Sequence, residues 1–348
     1  MAEESRSARK SRDRRGTARL SIAFLLAVSL LSSCASFPGR EVERASQSGG
    51  QKEAAPPPES RFIRTSITIP GETGAFPVWK TRSAGRPILL LHALNGLSPD
   101  LLQFALELES WGYRVYLPSL YGDPIRGRSA YGFDKQFAMI RHLKNDGRWN
   151  PVATDTLGTI VDDVAMLARA ISRAEGGRRL AVIGNSLTGA MPLALLKEPS
   201  VGLAVLGQPA TPALRIHQII ARRPLPDEAR SSLSLSEEDW NDMFLAMRRS
   251  SRKRIAGFHY VEDPLAYVER FDVLHDRLAG RGLSHRFTAY VLGVEGEVWA
   301  DERRWAIGGD TEEKAGMLTP HSTYIAAENP EDLEWFRKRL RETLRRGW

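Results

Sequence analysis

The stretch LAVIGNSLTGAMPLALL, residues 180–196, constrains what this chain can fold into more than any other. Residues 180–183 are a short apolar run of the kind found in strands buried on both faces. Gly184-Asn185-Ser186-Leu187-Thr188-Gly189 then turns the chain, and residues 190–196 read as the start of a buried helix. A serine among small residues, after a strand and before a helix, is the context that gives the G-x-S-x-G pattern its meaning. So sharp a turn crowds the backbone, and the positions flanking the serine must be small. It also lifts the Ser186 hydroxyl off the end of the sheet and aims the next backbone N–H, that of Leu187, at the reacting atom. The second small position is Thr188, with the glycine one residue later at Gly189.

Serine is a weak nucleophile at neutral pH and needs a base, itself oriented by a carboxylate. On this architecture the partners follow in the order serine, acid, histidine, each on a loop at the carboxyl end of a strand. Asp263 comes just past a predicted strand at 255–261, and His321 lies between the last predicted strand, 287–292, and the last predicted helix, 330–345. Glu262 and Asp272 compete for the role of acid. Among the other histidines, His142, His217 and His275 occupy surface or helix positions, His285 precedes the last strand and His259 lies within a strand. Such histidines are ordinarily satisfied structural side chains. The expected oxyanion hole uses the backbone N–H of Leu187 and one from Ala93 or Leu94, with His92 bracing that loop.

The elements around this stretch fix the class. An opening pair of strands at 62–69 and 76–80 is followed by apolar strands at 87–91, 113–117, 201–206, 255–261 and 287–292. Helical patterns fall at 100–111, 156–174, 236–247 and 330–345. Strands alternating with helices imply an α/β chain with a mostly parallel central sheet flanked by helices. Residues 121–154 and 211–254 read as insertions above the sheet, where specificity would reside. No G-x-G-x-x-G follows a strand and no H-E-x-x-H is present, so neither a cofactor nor a metal is expected.

The N-terminus has a different character. Seven Lys/Arg precede an apolar run at 20–31, and Ser32-Ser33-Cys34 follows. A basic segment, twelve apolar-rich residues and a small-residue cleavage point make a secretory signal over 1–33. Twelve residues span only about 18 Å as a helix, short of a bilayer core of roughly 30 Å. Leu31-Ser32-Ser33-Cys34 resembles the bacterial lipobox, which implies lipidation of Cys34, the sole cysteine of the chain. Two or more acyl chains would hold the protein on a membrane, and Ala35 after the cysteine implies the outer membrane in a Gram-negative cell. Residues 34–60, with Gly49-Gly50 and Pro56-Pro57-Pro58, form an extended linker to a domain at 61–348. Four of the seven net positive charges belong to residues 1–33, so the basic balance is weak support for nucleic acid, which is not expected as a partner.

The stretch ILLLHALNGLSPDLLQFALELESWGYRVYLPSLYGDP resembles the dienelactone hydrolase family of α/β-hydrolases, as do GNSLTGA, VGLAVLGQPATP, EDPLAYVERFDVLHDRL and PHSTYI. The likeness covers about residues 61–346 apart from the two insertions, and it implies the α/β-hydrolase fold. Dienelactone enzymes proper carry a cysteine where this chain has Ser186, and a glutamate near the end of the early strand where it has Ala93. An ordinary serine esterase therefore fits better than dienelactone chemistry. The expectation is an exported, lipid-anchored serine hydrolase acting on small ester or thioester substrates, with Ser186 as nucleophile, His321 as base and Asp263 as acid. The rivals are an inactive scaffold lipoprotein with a binding or envelope role, and an acyltransferase using the same three residues.

Overall fold

The computed structural model describes residues 58–68, 75–94, 96–121, 143, 145–213, 227–261, 263, 265–293, 325 and 330–348. The expected signal segment, Cys34, most of the linker and of the first insertion, and residues 214–226 of the second lie outside the described residues, as does His321.

Eight strands form one sheet among the described residues: β1 (Ile63–Thr68), β2 (Ala75–Lys80), β3 (Arg86–Leu90), β4 (Tyr113–Pro118), β5 (Leu180–Asn185), β6 (Val201–Gly207), β7 (Arg254–Tyr260) and β8 (Phe287–Leu292). Their spatial order is β1-β2-β4-β3-β5-β6-β7-β8. β2 runs antiparallel to β1 and β4, and every other neighbouring pair is parallel. Parallel strands need crossovers, which here contain the helices α1 (Pro99–Ser110), α2 (Ile160–Ala174), α3 (Met191–Leu195), α4 (Asp227–Ser231), α5 (Glu237–Arg249) and α6 (Glu269–Ala279). A last helix, α7 (Pro330–Arg345), ends the fold.

Side chains alternate across a strand, so each apolar run supplies two cores. Ile88, Leu90, Ala181, Ile183, Leu203 and Val205 meet α1 and α7 on one face. Leu89, Leu91, Leu180, Val182, Ala204 and Leu206 meet α2, α3, α5 and α6 on the other. This is why the central strands read as continuous apolar runs rather than alternating ones.

Boundaries moved where local chemistry intervenes. The strand expected to stop at residue 183 continues through Gly184 and Asn185, because both still pair with β6 at Leu206 and Gly207. The helix expected from residue 156 begins only at Ile160. Upstream of it, the Thr156 hydroxyl accepts from the Gly158 N–H, and Gly158 adopts a φ of 92°. Ser236 caps α5 instead of joining it, its hydroxyl accepting from the Asp239 N–H.

The order of the sheet reverses beside β3, which has β4 on one side and β5 on the other. In open α/β sheets, ligand-binding crevices lie at the carboxyl ends of strands at such a reversal. The loops after β3 and β5 both leave the sheet there.

Candidate active site

Ser186 occupies the first position after β5 and opens a single 3-10 turn, Ser186–Thr188, that leads toward α3. Its φ is 52°, in the left-handed region that a residue with a side chain enters at a cost of about 1–3 kcal/mol. Packing holds it there. A Cβ at Gly184 would stand 2.2 Å from the Thr188 carbonyl oxygen, and one at Gly189 would stand 2.6 Å from the Pro209 Cα. The Ser186 carbonyl accepts from Gly189 N–H at 2.8 Å and from Ala210 N–H at 2.9 Å, which ties the turn to the segment after β6. Ser186 itself is only half-buried.

Thr188 does more than fit. Its hydroxyl accepts from the Asn185 N–H at 3.0 Å and faces the His92 carbonyl at 3.1 Å, where it donates. The Asn185 side-chain amide donates to the Leu91 carbonyl at 2.9 Å. Together these bonds lock the loop after β3, which carries Ala93 and Leu94, against the turn that carries Ser186 and Leu187. Both candidate oxyanion segments therefore belong to one rigid unit.

His92 is fully buried and bonded at both ring nitrogens. Nδ1 donates to the Ala93 carbonyl at 2.8 Å, and Nε2 accepts from the Leu120 N–H at 3.0 Å. That pattern needs the neutral ring, and burial pushes the imidazole down to about 4. His92 thus joins the loops after β3 and β4 and is not a proton shuttle.

Asp263 lies three residues past the end of β7 and is 3% exposed. Its Oδ1 accepts from the backbone N–H groups of Leu265 at 2.8 Å and Ala266 at 3.2 Å. Its Oδ2 accepts from the Gln208 side-chain amide. With two backbone donors on one oxygen, the carboxylate plane is fixed. Asp272, by contrast, sits on α6, while Glu262 lies outside the described residues.

Gln208, which pattern reading passed over, joins the candidate site through its hydrogen bond to Asp263. It follows β6 directly, is 2% exposed and has a φ of 43°. Asn185 pairs with Gly207 across β5 and β6, so Ser186 and Gln208 leave the sheet side by side, both in left-handed conformations. The available signal was a lone polar residue ending the run VGLAVLGQ. Behind it, the fully buried Arg270 on α6 donates to the carbonyls of Pro209 and Pro212. Burial pushes this guanidinium down to about 10, and the nearby Asp263 charge works against that shift.

Of the remaining histidines, His259 is buried in β7 against Phe271, His275 lies on α6, and His285 falls in a short 3-10 turn before β8. His142 and His217 lie outside the described residues. Among the described residues no group of three His, Cys, Asp or Glu side chains is arranged to hold a metal ion.

Residues 88–347 match the alpha/beta hydrolase family. The chain belongs to that family. Solved structures resemble this alpha/beta hydrolase at low identity. An esterase from Pyrococcus furiosus is 15% identical, with a TM-score of 0.50 over 82% of this chain and 92% of the other. A dienelactone hydrolase-like promiscuous phosphotriesterase from metagenomic libraries is 13% identical, with a TM-score of 0.48 over 81% of this chain and 96% of the other. No curated protein matches the sequence. Among the described residues, no helix of this alpha/beta hydrolase is long and apolar enough to cross a membrane.

Proposed function

We propose that the protein is a serine hydrolase of carboxylic ester or thioester bonds, exported and held on a membrane through lipidated Cys34. One observation carries the catalytic reading. A half-buried serine is kept in a left-handed turn at the carboxyl end of β5, at the reversal of the sheet. Strain of this kind persists only where the surrounding structure enforces it, and it concentrates at functional sites.

In this mechanism Ser186 Oγ attacks the substrate carbonyl carbon while its proton passes to the His321 imidazole. Asp263 orients that ring and stabilises its charged form. The backbone N–H groups of Leu187 and of Ala93 or Leu94 receive the negative charge on the carbonyl oxygen. Collapse breaks the ester bond, and the imidazolium protonates the leaving alcohol or thiol. Water, deprotonated by the imidazole, then releases the acyl group from Ser186. The role of His321 rests on its position in the sequence, between β8 and α7.

A fluorophosphonate probe is expected to label the wild-type protein and to spare Ser186→Ala, which also loses roughly 10⁶-fold in kcat. Folded wild-type protein that resists the probe would mark an inactive scaffold. Product analysis with added alcohol acceptors separates hydrolysis from acyl transfer. For the anchor, Cys34→Ser is expected to give soluble exported protein or uncleaved precursor; unchanged processing and membrane attachment would count against lipidation.

A further inference from the structure

At the edge of the sheet opposite Ser186, the residues entering β5, β6 and β7 meet the side of α5 around a cavity of about 400 Å³. Arg179, Lys197, Arg249 and Lys253 line it, and Asp242 is the one carboxylate among the lining residues. Four cations against one anion leave an excess of positive charge on the walls. Asp242 pairs with none of them, since the Lys197 ammonium reaches Asp239 instead, at 3.5 Å. Arg249 has no hydrogen-bond or ion-pair partner among the described residues.

Lys253 is the most deeply buried of the four cations. It is 4% exposed, and its ammonium donates to the carbonyls of Glu198 at 2.7 Å and Val201 at 2.6 Å. An ammonium has three donors, so one proton remains beyond these two bonds. The Glu198 carboxylate, whose charge acts on this ammonium, is itself held bidentate by Arg169 at 2.6 and 2.8 Å. Lys253 is therefore a buried cation that makes no ion pair with a carboxylate among the described residues and is only partly offset by the Glu198 charge, and such a cation is costly to keep. Burial and the neighbouring Arg179 push it down to about 8. Leu245, 46% exposed, sits among the lining residues and offers an apolar surface next to the charged walls.

We propose that this cavity is a binding site for a phosphate-bearing anion, separate from the hydrolytic centre, with Arg179, Lys197, Arg249 and Lys253 lining it. A phosphate group supplies the charge the cavity lacks, and guanidinium and ammonium groups are its ordinary partners. The group comes either from a soluble phosphate ester or from an anionic lipid headgroup.

The test uses the full-length protein in detergent. Glycerol 3-phosphate binding is measured by calorimetry, and preference for phosphatidylglycerol-containing vesicles over pure phosphatidylcholine by co-sedimentation. Binding in the first assay identifies a soluble ester as sufficient; preference in the second alone identifies a lipid headgroup. In whichever assay responds, Arg249→Glu and Lys253→Met are each expected to weaken binding by about tenfold or more while turnover of a p-nitrophenyl ester is retained. Arg249→Glu removes an unpartnered side chain, so it tests the site even if Lys253→Met folds poorly. Arg173→Glu, an exposed charge on α2 outside the cavity, is expected to leave binding within about twofold of wild type. No response in either assay, or equal loss in Arg173→Glu and Arg249→Glu, would overturn the proposal.

Discussion

The Gln208 side-chain amide donates to Oδ2 of Asp263, across 55 residues of sequence. The other carboxylate oxygen is held by two backbone N–H groups, so Gln208 and the backbone together fix the carboxylate that the proposed mechanism sets against His321. Gln208→Ala is expected to lower kcat by roughly tenfold with KM nearly unchanged, because small misplacements of a catalytic group slow chemistry before they weaken binding. Asp263→Asn should cost more, roughly 10⁴-fold. Steady-state kinetics on a p-nitrophenyl ester check both. Equal kcat in Gln208→Ala and wild type would leave the glutamine a packing role only.

Thr188 is expected to be irreplaceable by an isostere. Thr188→Val keeps the shape but strands the Asn185 N–H and the His92 carbonyl, both buried. A loss of about 1–3 kcal/mol should appear in urea unfolding, and Thr188→Ser should recover most of it.

Gly189 is required for space and not for its backbone angle, since its φ is −59°. Gly189→Ala would push a methyl group into the Pro209 backbone, and overpacking of this kind costs about 1–3 kcal/mol. Thermal unfolding should show a midpoint lower by several degrees. Gly147→Ala, at a position with open space around it, serves as the control and should change little.

Acid should weaken the fold through His92. Its folded value of about 4 lies below the ordinary 6.5, so between these values the unfolded chain takes up a proton that the folded chain refuses. Stability from this group is complete above about pH 6.5 and falls as the pH drops toward 4, by about 3 kcal/mol in total. His92→Gln should be less stable at neutral pH yet show a shallower loss over that window. Urea midpoints for both proteins at the two ends of the window decide it.

The sequence by itself determined the architecture and the turn at Ser186. Runs such as LAVI and VGLAVLG announce strands covered on both faces, and the strain of a strand-to-helix turn is written in the residues that form it. Both signals are local, resting on side-chain periodicity and on backbone crowding over a few positions. Tertiary structure decided the rest. Thr188 looks like a departure from a pattern until the His92 carbonyl, 96 residues away, arrives opposite its hydroxyl. Gln208 joins the candidate site only because Asn185 pairs with Gly207, and Lys253 joins the cavity wall only because β7 pairs with β6. Such contacts are set by the register of parallel strands joined through long crossovers, and no window of neighbouring residues encodes that register.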